Sequence, residues 1–250
     1  MKIYLGLQRG TSHTNYCEDF LMAMPVSENI FVGMVSDGCT SGKHSHFASA
    51  LQCKIMRKVI LNTFIDEKEE LSLLALRLLK KLISELRQFK IDYFLQVTDL
   101  LATFNFLIYN KITNQVYITT LGDGAVLIDN TLYEIDQDNR PDYLGYHLDD
   151  SEEVLALYLT ENTFSIVNPK QVAIASDGVF SFQHTRQTDS ISENTFGEFL
   201  LTDTSFKEYD NMIQRKINII QSKYKAFAYD DIAVIRLIFD DSFACKIDFS

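Results

Sequence analysis

Three times in this chain a short run of β-branched and aliphatic residues ends in an aspartate followed at once by glycine. Ile30 to Val35 leads into Ser36-Asp37-Gly38, Val116 to Leu121 into Gly122-Asp123-Gly124, and Val172 to Ala175 into Ser176-Asp177-Gly178. Two acidic pairs stand where further strands should begin, Glu18-Asp19 before Phe20 to Met24 and Asp230-Asp231 before Ile232 to Ile238. Carboxylates at the ends of buried strands can converge on one edge of a sheet, where they repel one another unless a cation neutralises them. The pattern points to a metal site.

Composition limits what surrounds such a site. The chain has 250 residues, 46% of them hydrophobic, with 18 Phe and 12 Tyr, which is ample material for a sizeable core. Its three Pro and ten Gly are spread out, so no linker or low-complexity segment divides it, and residues 1–250 are expected to form a single domain. The net charge of −11 comes without any Lys/Arg cluster, which argues against nucleic acid and anionic membranes as partners. The start, Met1 to Gly10, is strand-like and lacks the apolar core of a signal peptide, and no apolar run approaches the ~20 residues of a membrane helix. Cys17, Cys39, Cys53 and Cys245 form no Cys-x-x-Cys pair and are expected to be free thiols in a reducing, cytoplasmic setting. Cys17 and Cys39 abut acidic motifs and read either as neighbours of the metals or as small buried hydrophobes.

Hydrophobic spacing gives alternating blocks. Strands are expected at 2–8, 20–26 and 30–36, then a helix after Thr40-Ser41-Gly42 reaching about 62, with Phe47, Leu51, Ile55 and Val59 on one face. A second helix, about 67–90, carries Leu71, Leu74, Leu78, Leu82, Leu86 and Phe89, and the two are expected to pair as an antiparallel hairpin. Strands return at 101–110, 114–121 and 124–128. The polar stretch 134–163, with Asp138-Asn139-Arg140-Pro141-Asp142, has the turn chemistry of an exposed loop or flap. Strands at 164–167 and 171–176, a polar connection after 180, a helix at 205–224 and a last strand at 231–239 complete the order, which fits sheets covered by helices.

Oxygen ligands with room for waters select hard ions such as Mg²⁺ or Mn²⁺, whereas zinc is favoured by thiolate and imidazole clusters that this chain lacks. Two such ions can activate a water and clamp the oxygens of a displacement at phosphorus, so phosphate ester hydrolysis is the reaction the pattern serves best. Each Asp-Gly also has a structural reading as a hairpin turn. Asp123-Gly124, flanked by strands on both sides, fits that reading well, and Asp37-Gly38 and Asp177-Gly178 fit it less well.

The order Glu18-Asp19, Ser36-Asp37-Gly38, Gly122-Asp123, Ser176-Asp177-Gly178, Asp230-Asp231-Ile232-Ala233-Val234 resembles the metal-dependent serine/threonine protein phosphatases of the type 2C, or PPM, family, over about residues 5 to 238. The resemblance implies an α+β fold, a four-layer α-β-β-α sandwich of two mainly antiparallel sheets flanked by helices. It implies two divalent ions, Mn²⁺ or Mg²⁺, with a third, looser ion in bacterial members. Asp37 matches the aspartate that bridges the two ions, with the Gly38 carbonyl on the second. Asp177 and Asp230 match the other carboxylates of the first ion, Glu18 and Asp19 the acidic pair on the other side, and Asp123 the support of the third. Thr103 falls at a structural strand start, and segment 134–163 at the variable flap.

Departures from that family pattern accompany the matches. Where many members place a phosphate-binding arginine, four residues before the Glu of the first pair, this chain has Thr14, leaving His13, Arg9 or a loop residue for that task. Where eukaryotic members have a histidine after the bridging Asp-Gly, this chain has Cys39, with His44 and His46 as substitutes nearby. These features sit closer to a divergent bacterial branch. The expected function is hydrolysis of phosphoserine and phosphothreonine in proteins by metal-activated water, a signalling activity, with Asp37, Asp19 and His13 as catalytic candidates. A phosphoprotein substrate and a cognate serine/threonine kinase are the expected partners. No cysteine is followed six positions later by arginine, which argues against a covalent cysteine route. The alternatives are a catalytically silent module that binds partners, and a β protein that binds Ca²⁺ structurally.

Overall fold

The computed structural model describes all residues except 40, 41, 43, 44, 138–140, 162, 186–192, 241, 243, 244 and 248–250, and leaves aside the side chains of 152, 158–161, 193 and 194. The first half runs β1 (Lys2–Gln8), β2 (Asp19–Pro25), β3 (Ile30–Asp37), α1 (Ser45–Leu61), α2 (Leu71–Asp92), β4 (Phe104–Asn110), β5 (Gln115–Leu121) and β6 (Gly124–Ile128). The second half runs β7 (Thr131–Ile135), α3 (Glu152–Glu161), β8 (Thr163–Val167), β9 (Gln171–Ala175), β10 (Phe182–His184), α4 (Glu193–Leu201), α5 (Met212–Lys223), β11 (Ala226–Ala228) and β12 (Ile232–Ile238).

Two five-stranded sheets result, ordered β1-β12-β9-β6-β7 and β2-β3-β4-β5-β8, with β10 and β11 forming a small hairpin-like pair. Every pairing between these strands is antiparallel. Side chains alternate across each strand, so each sheet contributes to two cores. Phe31, Val35, Leu107 and Ile118 of one sheet meet Val126, Ile174 and Ile235 of the other between the layers. On the outer face of the second sheet, Val32, Met34 and Phe106 pack under Leu51, Ile55, Leu74, Leu78 and Leu82 of α1 and α2. On the outer face of the first, Tyr4, Leu127 and Val234 pack under Phe196, Leu200, Ile213 and Ile217 of α4 and α5. The expected four-layer α-β-β-α sandwich is the observed one.

Two fully buried cations hold the end of α4. Lys216 Nζ donates to the Phe199 carbonyl at 2.7 Å and also to that of Asp203, and Arg236 donates to those of Asp203 at 2.7 Å and Thr202 at 2.9 Å. Carbonyls at a helix C-terminus lack intrahelical partners, so positive side chains satisfy them while the carbonyls offset the burial of charge.

Several elements differ from the sequence expectation. The described part of segment 134–163 is not all loop: after β7 it forms a 3-10 turn at Leu144–His147 and then α3, because Leu144, Leu148 and Leu155 are buried in the core beneath α2. The His147 ring lies between the carboxylates of Asp142 at 2.7 Å and Asp150 at 2.8 Å, which ties the turn together. Asp138, Asn139 and Arg140 lie outside the described residues. The polar connection after 180 carries β10 and α4, whose buried Phe182, Phe196, Phe199 and Leu200 are too few and too close to polar residues to show a period. The last helix starts at Met212 rather than 205, after a turn in which Phe206 has a φ of 69°.

A test of the shared core follows from its burial. Leu107→Ala, at a position with no exposed surface between the sheets, should cost about 2–5 kcal/mol in urea unfolding, whereas Ile3→Ala on the exposed side of β1 should stay within about 0.5 kcal/mol.

Candidate metal centre

All five acidic motifs arrive at one end of the sandwich. Strands β2 and β3 pair so that Asp19 lies opposite Asp37, the first residue of one facing the last of the other. Asp177 opens a 3-10 turn directly after β9, and Asp230 and Asp231 precede β12, which runs antiparallel beside β9. Asp123 sits in the turn between β5 and β6, where Gly122 takes a φ of 87°. That turn is not a hairpin, although strands flank it: β5 belongs to one sheet and β6 to the other, so the chain crosses between layers there.

Glycine after aspartate has a different origin from the expected sharp turn. Gly38 and Gly178 have ordinary backbone angles, but a Cβ on Gly38 would collide with the Ser45 carbonyl at the start of α1, and one on Gly178 with the Asp231 carbonyl. The strand ends are packed so closely that only a residue without a side chain fits behind each aspartate.

A set of hydroxyls and amides holds the carboxylates in place. Thr103 Oγ1 accepts from the Asp37 amide at 3.0 Å while the Thr103 amide donates to the Asp37 carbonyl at 2.7 Å, in keeping with the structural role expected of it. Ser176 Oγ donates to Asp19 Oδ2 at 2.6 Å and accepts from the Ala233 amide at 2.9 Å, linking one sheet to the key acid of the other. Ser181 Oγ accepts from the Asp230 amide at 2.9 Å, and Asp123 Oδ1 from the Gln137 amide at 2.8 Å. Asp231, 1% exposed, turns inward, where its Oδ1 accepts from the Gly10 amide at 2.6 Å and its Oδ2 from the Glu18 amide, anchoring the segment before β2.

The electrostatics are those of acids too close together. Burial pushes the Asp19 carboxyl up to about 8, against hydrogen bonds from Asp37 and Ser176 that favour its charged form, with Asp231 and Asp177 adding to the rise. Burial and then the charges of Asp19, Asp177 and Asp230 hold Asp37 well above the usual carboxylate range. Burial, Asp230 and Asp123 bring Asp177 up to about 6, and burial also raises Asp230. His13 reaches this group, with Nε2 3.7 Å from Glu18 Oε2 and Nδ1 3.7 Å from Asp230 Oδ1 and 2.8 Å from Asp231 Oδ2. Burial alone would lower its pKa, but the charges of Asp231, Glu18 and Asp230 outweigh that and raise it.

Not every candidate reaches the cluster. Arg9 is exposed and donates from Nη1 to the Thr14 carbonyl at 2.7 Å, and with His13 and Thr14 it lines a cleft of about 420 Å³. A second cleft of about 260 Å³ is lined by Asp123, Glu134, Asp136 and Asp177. The His46 ring stacks on Tyr16 at 4.2 Å, and His44 lies outside the described residues. All four cysteines are free thiols, with Cys39 buried next to Tyr143 from the segment after β7. Tyr143, Ser176, Ser181 and Asp231 were not among the expected site residues. A signal existed for Ser176, since serine precedes Asp-Gly twice, but its partner is 157 residues away.

A double antiparallel sandwich with helices on both outer faces and acids gathered at one end of its sheets is the architecture of a known group of phosphatases. The chain belongs to the Protein phosphatase 2C family, whose sequence profile it matches over residues 9–211. Its fold is similar to the phosphatase domain of SpoIIE from Bacillus subtilis, at 13% identity and a TM-score of 0.58, covering 96% of this chain and 63% of that one. It is also similar to the serine/threonine phosphatase Stp1 from Staphylococcus aureus, at 12% identity and 0.62, covering 95% and 94%. RsbX in complex with magnesium gives 12% identity and 0.51, covering 94% and 92%. The chain thus spans less than two thirds of the SpoIIE structure. No curated protein matches the chain by sequence.

Raised carboxyls bind protons in the folded state that they lack when unfolded, so they contribute stability at low pH and lose it as pH rises. In EDTA, the melting temperature should therefore fall between about pH 4 and pH 8, the window spanned by Asp19, and Mn²⁺ should restore it most at the upper end.

Proposed function

We propose that this chain is a single type 2C-like phosphatase domain, residues 1–250, that hydrolyses phosphoserine and phosphothreonine in proteins at a two-metal carboxylate site. The observation that carries the reading is the burial of Asp19, Asp37 and Asp177 against one another at the common end of two sheets, an arrangement that repels itself without cations. The donors fit Mn²⁺ or Mg²⁺, being carboxylate oxygens together with a backbone carbonyl at Gly38. Glu18 Oε2, buried without a hydrogen-bond partner, is a further oxygen in want of a cation. In this reading Asp37, Asp177 and Asp230 would hold one ion, Asp37 with the Gly38 carbonyl, Glu18 and Asp19 a second, and Asp123 a third. The bound ions would supply charge neutralisation at the phosphate and a more acidic water.

The chain's own residues then divide the remaining work. Ser176 keeps the Asp19 carboxylate from turning and Thr103 fixes the Asp37 backbone, so that the site is formed before substrate arrives. The phosphate enters by the cleft that Arg9 and His13 line, where a guanidinium is at hand in place of the family's arginine. The acidic second cleft favours a substrate with basic residues beside the phosphorylated one. Catalysis runs without a phosphoenzyme. No described helix is long and apolar enough to cross a membrane, and we place the protein in the cytoplasm, with a phosphoprotein substrate and a serine/threonine kinase acting in opposition to it.

Hydrolysis of p-nitrophenyl phosphate and of a phosphothreonine peptide should depend on Mn²⁺. Asp37→Asn should abolish it, and Ser176→Ala should lower it by roughly 10–100-fold. Equal turnover by the unmodified chain and Asp37→Asn would sink the enzyme reading. Mn²⁺ binding without turnover would favour the silent partner-binding module, the reading suggested by Thr14 in the arginine's place.

A further inference from the structure

We propose that His13 is a nitrogen ligand of the metal centre, which makes this an imidazole-containing site suited to Mn²⁺ over Mg²⁺. The inference rests on the metal-dependent reading above and adds to it a donor outside the carboxylate set.

The geometry around His13 is unlike that of an ordinary ion pair. Its Nδ1, the Asp230 carboxylate and the Asp231 carboxylate offer donor atoms that all lie within 4.8 Å of one another. Neighbouring donors of an ion bound at about 2.1 Å stand about 3 Å apart, which is the scale of the 2.8 Å between Nδ1 and Asp231 Oδ2. That contact pairs the ring with the Asp231 carboxylate, while the buried Nδ1 lacks a well-aligned hydrogen bond. On the opposite side of the ring, Nε2 faces Glu18 Oε2, another buried atom without a hydrogen bond.

A neutral imidazole has one proton to give. Placed on Nε2, it points toward Glu18, the arrangement in which a carboxylate orients a metal-bound histidine. Nδ1 then presents its lone pair to Asp231 and Asp230; at 2.8 Å that lone pair and the carboxylate oxygen repel unless a proton or a metal ion lies between them, and a bound ion would take the place of the proton. Asp231 is held by the Gly10 and Glu18 amides, and Asp230, 37% exposed, has room to turn toward a shared ion. Imidazole nitrogen suits transition ions better than Mg²⁺, which demands oxygen donors and keeps its waters.

Pulsed electron paramagnetic resonance of the full chain loaded with Mn²⁺ tests this directly, alongside Mn²⁺ and Mg²⁺ titrations. The expected result is nitrogen modulation from a coordinated imidazole in the unmodified protein, lost in His13→Ala and in His13→Gln. Both variants should keep the native circular dichroism spectrum, bind Mn²⁺ at least roughly tenfold more weakly and bind Mg²⁺ unchanged. Mn²⁺ binding without nitrogen modulation, or modulation that survives both substitutions, overturns the assignment of His13 and leaves the carboxylate site standing. If the unmodified chain binds no Mn²⁺ at all, both this inference and the metal-dependent reading fall.

Discussion

Packing buried carboxylates against one another is the constraint on which the rest of this structure depends. Asp19 and Asp37 face each other across a strand pair, and Asp177 and Asp230 join them from the other sheet. Such a cluster raises its own proton affinity, and the folded chain must either protonate it or supply positive charge. The surrounding architecture is correspondingly rigid. Helices clamp both outer faces, Ser176 binds the Asp19 carboxylate, and Thr103 and Ser181 bind the backbone amides of Asp37 and Asp230.

The same constraint explains the glycines and the inward turn of Asp231. Strand ends that bring four acids together also bring backbones together, so the residues after Asp37 and Asp177 have no space for a side chain. Asp231 is buried, binding the amides of Gly10 and Glu18 and meeting the His13 ring. By doing so it delivers Glu18 and His13 to the rim. Of two adjacent aspartates with similar sequence context, one thus shapes the site and the other faces it.

Function at such a site divides between its fixed acids and its less regular borders. One border holds Arg9 and His13, and the other, with Asp123, Glu134 and Asp136, is strongly negative. On the proposed function, the first would take the phosphate and the second what flanks it. Membership of the Protein phosphatase 2C family accounts for the acids. The borders belong to this chain, which has Thr14 and Cys39 where the family pattern has phosphate-handling residues.

Local pattern in the sequence was enough to determine the acids and most of the sandwich. Strands β3, β9 and β12 are largely apolar runs, and α1 and α2 repeat apolar residues at helical spacing, so both kinds of element were legible from neighbours in the chain. Tertiary structure alone decided what depended on residues far apart. It buried Leu144, Leu148 and Leu155 of segment 134–163, turned the apparent hairpin at Asp123 into a crossing between sheets, and joined Ser176 to Asp19. It also turned Asp231 inward and set His13 among three carboxylates. The physical reason is the range of the interaction. Periodicity and turn chemistry act over a few residues, whereas burial, charge repulsion and close backbone approach exist only once the two sheets have met.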